Sequence, residues 1–127
     1  MRWILAWLLA LGLLHGCSDY SVEGQIHALG DEHFTPQAWA KADQVTRGRM
    51  LASFMSQYPP NRLTQKALQD LLGEPTGHAK QDDEIAYIVG PTSVESQYGK
   101  GYLLIFTIDR QTGKVAQVRM VPPVTRI

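Results

Sequence analysis

The chain has 127 residues, with 12 Lys and Arg against 12 Asp and Glu, four His and a single Cys. That length accommodates one domain. Balanced charge excludes a general nucleic-acid binder, which needs a basic face, and one Cys excludes both an internal disulfide and a Cys-rich zinc site.

The chain opens on the basic Met1-Arg2 and continues with an apolar run over 3–14. A spanning helix needs roughly 20 apolar residues, so this run reads as the core of a secretory signal. It ends at Leu14-His15-Gly16-Cys17 and turns polar at Ser18-Asp19. The tetrad resembles a bacterial lipobox, with Leu at its head, small Gly16 before the cleaved bond and Cys17 after it. His15 stands where such segments carry a small or hydroxyl residue. The resemblance implies that residues 1–16 are a signal peptide cut between Gly16 and Cys17, and that Cys17 carries lipid. The membrane is then a partner through acylated Cys17. Each buried CH₂ contributes about 0.8 kcal/mol, so two or more acyl chains make the attachment durable. Ser18 follows the Cys, where Asp would signal inner-membrane retention by resemblance to that sorting rule. A periplasm-facing, outer-membrane location is expected.

Residues 17–33 read as a flexible tether, with two Gly and scattered charge. His27, Asp31, Glu32 and His33 are metal-ligand types, but they fall in a segment that reads as no helix able to hold a rigid i,i+4 pair, so a solvated tether and no metal site is expected. The single domain is expected over 34–123, with a C-terminal tail at 124–127. Thr35 is an N-cap with Pro36 behind it, and Phe34 and Trp39 sit at the staple positions. A short helical piece is expected near 36–41. Asp43 caps a longer helix near 44–57, whose stripe holds Met50, Leu51, Phe54, Met55 and Tyr58. Arg47 falls inside that stripe, and Gly48 interrupts a good helix-forming run. Pro59-Pro60 ends the helix. Thr64 caps a second helix over 65–72, with Ala67, Leu68, Leu71 and Leu72 inward and Gly73 as its stop.

Strands follow at 85–89, 101–109 and 114–121. The middle one is apolar on both faces, as a central strand requires. Residues 92–100 read as a polar loop, and Arg110-Gln111-Thr112-Gly113 as a hairpin turn. Helices grouped before strands predict an α+β fold: two N-terminal helices packed on a three-stranded antiparallel meander, ααβββ.

Leu63-Thr64, Ala67-Leu68, Leu71-Leu72-Gly73 and Pro75 resemble the "T-x-x-x-V-x-x-L-L-G-x-P" segment of the BamE/SmpA/OmlA-like bacterial lipoproteins. Their later "F-D-x-x-G-K-V" is matched by Phe106, Asp109, Gly113, Lys114 and Val115, with two extra residues between Phe and Asp. A group of small lipoproteins among them carries a Trp, "R-x-x-M-x-x-D-L" and "Y-x-L-G-P". Here these are Trp39; Arg47, Met50, Ser53 and Phe54; and Tyr87, Val89, Gly90 and Pro91. Ser53 stands where those relatives have an acidic residue. The resemblance implies the two-helix, three-strand fold of β-lactamase-inhibitor proteins and a task in outer-membrane assembly or maintenance.

No residue set forms a catalytic constellation. Asp82-Asp83-Glu84 reads as a charged turn, Ser93 and Ser96 lack a nucleophile elbow, and Gly99-x-Gly101 opens a strand and so is no dinucleotide loop. No cofactor is expected. Arg and aromatic side chains anchor protein interfaces, so Arg47, Tyr98 and Tyr102 are the candidate partner-binding residues. The expected function is a non-enzymatic, membrane-anchored scaffold that binds an envelope protein; a periplasmic enzyme inhibitor or small-ligand binder is the alternative.

Overall fold

The computed structural model describes residues 22–96 and 99–124, apart from the side chains of Glu23 and Ser96. The signal peptide, Gly16, Cys17 and Tyr98 lie outside the described residues. The elements are α1 (Val22–His27), α2 (Pro36–Lys41), α3 (Gln44–Gln57), a 3-10 turn at Pro60–Arg62, α4 (Gln65–Leu72), β1 (Glu84–Val89), β2 (Glu95–Ser96), β3 (Gly99–Lys100), β4 (Tyr102–Ile108) and β5 (Val115–Val121). The fold is α+β.

The helix starts follow from local chemistry. Thr35 Oγ1 accepts from the Ala38 amide at 3.0 Å, Asp43 Oδ1 from Thr46 at 2.8 Å, and Thr64 Oγ1 from Ala67 at 3.1 Å. Each bond satisfies an amide that the first turn of its helix leaves without a partner. The Thr46 N–H also holds the Asp43 carboxyl below its ordinary range. Gly73 ends α4 at φ +78°, a conformation that a side chain resists.

The main sheet is antiparallel in the order β1-β4-β5, with a register shift between Thr107 and Ile108. Alternation along β1 and β4 sends Ile85, Tyr87, Val89, Leu104 and Phe106 into the main core with the helices. Ala86, Leu103 and Ile105 point to the opposite face and form a small second cluster with half-buried Ala79, Ile88 and Val121. The chain between α4 and β1 crosses that face. Gly77 N donates to Ala86 O at 3.0 Å, and Ile88 N donates to Thr76 Oγ1 at 2.9 Å. These bonds also occupy β1's outer edge, which would otherwise be open to pairing.

Aromatic rings fill the main core. Phe34 lies edge-on to Trp39, Phe54 and Tyr58, with centroids 6.0, 5.0 and 6.1 Å away. Trp39 continues to Tyr87, and Tyr87 to Phe106. The polar ends of the two amphipathic rings reach backbone at the close of α4: Trp39 Nε1 donates to Leu72 O and Tyr87 Oη to Gly73 O, both at 2.8 Å. Burial pushes the Tyr87 phenol up to about 12, with nearby Glu74 adding to the shift and Arg47 opposing it. On α4, Leu68 and Leu72 are buried, while Ala67 and Leu71 lie half-buried at the margin.

Four expectations need correction. Among the described residues the helices number four, not two. The tether drawn over 17–33 is folded from Val22: Ile26 is only 1% exposed and belongs to the main core, and Gln25 Oε1 accepts from Val124 N at 2.9 Å. Val22, Ile26 and Leu29 recur at i, i+4 and i+7, the spacing of one helix face. Val124, assigned to the tail, is itself packed on the core. The loop drawn over 92–100 contains the antiparallel pair β2–β3, with Glu95 opposite Lys100.

Candidate functional site

The two ends of α3 are built differently. At its N-terminal end, Gln44 O accepts from Gly90 N at 2.9 Å, while Gln44 Nε2 donates to Gly90 O at 3.1 Å and Lys100 O at 2.8 Å. One side chain thereby ties α3 to the end of β1 and to the β2–β3 hairpin. Four residues on, a Cβ placed at Gly48 would lie 2.8 Å from both Gly90 N and Gly90 Cα. Gly48 therefore lets the helix backbone touch the strand end, and α3 runs through it without a break.

Beside the C-terminal end of α3 lies a groove of about 370 Å³. Its walls include Val22 and Ile26 of α1, Met55 and Ser56 of α3, Pro60 of the 3-10 turn and Val118 of β5. A shallower depression of about 230 Å³ continues from Pro60 and Val118 along the start of β5. The groove is mostly apolar with a few polar atoms at its rim, the composition of a docking site for an apolar group. Sequence reasoning missed it because one wall, α1, lay within the segment assigned to the tether. The stripe of Val22, Ile26 and Leu29 was the signal that could have found it.

The residues singled out in the sequence do not converge on one place. Arg47 Nε donates to Trp39 O at 2.9 Å, and its guanidinium carbon sits 4.9 Å from the centre of the Trp39 ring. A cation over an indole face is stabilised there, so Arg47 braces α2 against α3. Ser53, six residues along, accepts from Phe34 N at 2.9 Å and from Gln57 Nε2 at 3.0 Å, and so fixes the entry to α2. Tyr102 is 7% exposed, with its ring against Gly90. It is a core residue and offers little surface for the partner binding expected of it.

The acidic run is dispersed. Asp82 is exposed, Asp83 faces Arg110 at 3.9 Å, and Glu84 pairs with Arg119 on β5. Glu32 lies 3.9 Å from Arg49, while His27, Asp31 and His33 are exposed. Among the described residues no group of three His, Cys, Asp or Glu is placed to hold a metal ion, and no described helix is long and apolar enough to cross a membrane. Ser93 is exposed in the turn after Pro91. No family model, curated protein or solved structure matches the chain.

Proposed function

We propose that this protein is a lipoprotein held by acylated Cys17 in a bacterial membrane, with the outer membrane favoured, and that its domain binds another envelope protein without catalysing a reaction. The observation that carries this reading is the position of the only Cys. It closes the apolar run and stands five residues ahead of Val22, where α1 begins. Lipid supplies local concentration and the domain supplies a fixed surface. In the same proposal the chain belongs with the BamE/SmpA/OmlA-like lipoproteins: α3 and α4 followed by β1, β4 and β5 stand for their ααβββ unit, and α1 and α2 are additions to it. The β2–β3 hairpin, with Tyr98 between its strands in sequence, is the partner-facing candidate, because Gln44 fixes its base.

The groove beside Met55 favours a second reading, a lipoprotein that binds a small apolar ligand. Two measurements test the first. Growth with a clickable fatty acid should mark the wild type and leave Cys17→Ser unmarked; equal labelling removes the anchor from the proposal. A photo-crosslinker at Tyr98 should capture one identified envelope protein in cells, and the same probe at exposed Gln111 should not. Capture from neither position, with a purified small molecule raising the melting temperature, would favour the ligand reading.

A further inference from the structure

The groove and the entry of the chain lie at the same end of the domain. Val22, the first described residue of α1, lines the groove together with Met55 and Ser56 near the end of α3. Seven residues on, Leu29 reaches the other half of α3, its Cδ1 lying 3.7 Å from where a Cβ of Gly48 would stand. The chain therefore comes in at the C-terminal end of α3 and runs toward the N-terminal end. Five residues separate Cys17 from Val22, and fully extended they span at most about 17 Å. An acyl anchor on Cys17 holds the groove within that distance of the bilayer.

We propose that the groove seats an acyl chain of a phospholipid from the membrane that holds Cys17, so that the domain rests on the bilayer with the C-terminal end of α3 downward. This rests on the acylation proposed above. The chemistry of the walls fits: Val22, Ile26, Met55, Pro60 and Val118 are apolar, and among the described residues no carboxylate lines the groove. His27 at the rim is the one ionisable group there, so nothing in the walls repels an anionic lipid surface. An acyl chain brings no hydrogen-bonding groups that the walls would have to satisfy, whereas a peptide would bring its backbone. A single acyl chain binds weakly on its own. The leash keeps the groove at the bilayer, where phospholipid is locally concentrated, and a weak contact is then enough to set orientation. Docked this way, the 14 residues of α3 rise roughly 20 Å from the membrane and carry the hairpin tied to Gln44 to the far end, where a partner can reach it.

The test uses the mature lipoprotein reconstituted in vesicles of mixed anionic and zwitterionic phospholipid. Acylation consumes the Cys17 thiol, so Ser56→Cys introduces a single labelling site in the groove and Thr92→Cys one at the far end. Each carries an environment-sensitive dye, and a fraction of the phospholipid carries a spin label on its acyl chain. The label at position 56 should lose emission to the spin label, and the label at 92 should keep it. His27→Cys repeats the measurement at the rim in case Ser56→Cys folds poorly, with melting curves checked for each protein. Equal quenching at both ends, or none at either, overturns the docking. An apolar but unquenched signal at 56 assigns the groove to the protein's own anchor or to a bound protein, and also overturns it. The mass of the N-terminal peptide separates the two levels: unmodified Cys17 removes the anchor and the docking together, while acylated Cys17 without quenching removes the docking alone.

Discussion

One helix, two ends: α3 meets the sheet through bare backbone at Gly48 and through an open groove at Met55 and Ser56. The contrast comes from residue size and from the chain that follows. A glycine lets two backbones approach within van der Waals contact, and the Gln44 side chain then bonds across the junction. At the other end Pro59 and Pro60 redirect the chain at once. The 3-10 turn packs beside β5, and α1 is the wall opposite. The backbone contact at one end makes a platform for the β2–β3 hairpin; the groove at the other leaves apolar surface open.

The largest expected effect is that of Trp39→Ala, in the core that both ends of α3 share. It removes the ring that joins Phe34 to Tyr87, the bond to Leu72 O and the seat of Arg47, and should cost about 3–5 kcal/mol in denaturant unfolding. A loss below about 1 kcal/mol would show that this ring does not join the two ends.

Gly48→Ala comes next. Its methyl would meet the Gly90 backbone, which cannot step aside as a flexible side chain would. The gain in helix propensity, up to about 1 kcal/mol, should be outweighed, for a net cost of about 1–3 kcal/mol. A stabilised variant would mean that the helix and strand end are not in contact.

Tyr87 offers a pH test. Its folded value is raised from 10.0 to about 12 by burial, so the native state resists ionisation that the unfolded chain accepts. This contribution is fully present below pH 10.0 and is lost as pH rises toward about 12. Unfolding followed across that window should show a decline that Tyr87→Phe reduces; identical profiles would place the phenol in water.

Gln44→Ala should cost about 1 kcal/mol, the net worth of ordinary hydrogen bonds. The effect should be local, with faster amide exchange in Gly101 and the hairpin and little change in β5. Uniform acceleration across the domain would instead make Gln44 part of the global core. Smallest of all is Ser56→Ala at the groove, expected within about 0.5 kcal/mol of wild type. A cost comparable to Gly48→Ala would erase the distinction between the two ends.

Much of the fold was legible because its signals are local. Thr35, Asp43 and Thr64 each mark a helix start by a side-chain oxygen three residues before the amide it serves, and the structure shows all three bonds. The two apolar faces of residues 102–108 identify the central strand without reference to its neighbours. The candidate site was far less legible. Arg47 stood out in an apolar stripe, yet its partner is a carbonyl in another helix. Tyr102 shares a face with Leu104 and Phe106, and alternation assigns a residue to a face but does not say what covers that face.

From the sequence alone followed the capped helices, the three strands of the main sheet and the α+β class. These depend on neighbours a few residues apart, where side-chain size, capping oxygens and period are sufficient. Only the tertiary structure decided that α1 belongs to the core, that Gly48 serves a contact with Gly90, that residues 76–79 cover the second face of the sheet, and that a groove opens between α1 and β5. Each of these depends on what a distant segment leaves filled or empty. Packing is a property of the space between elements, and that space is set only when helices, turns and strands have been brought together.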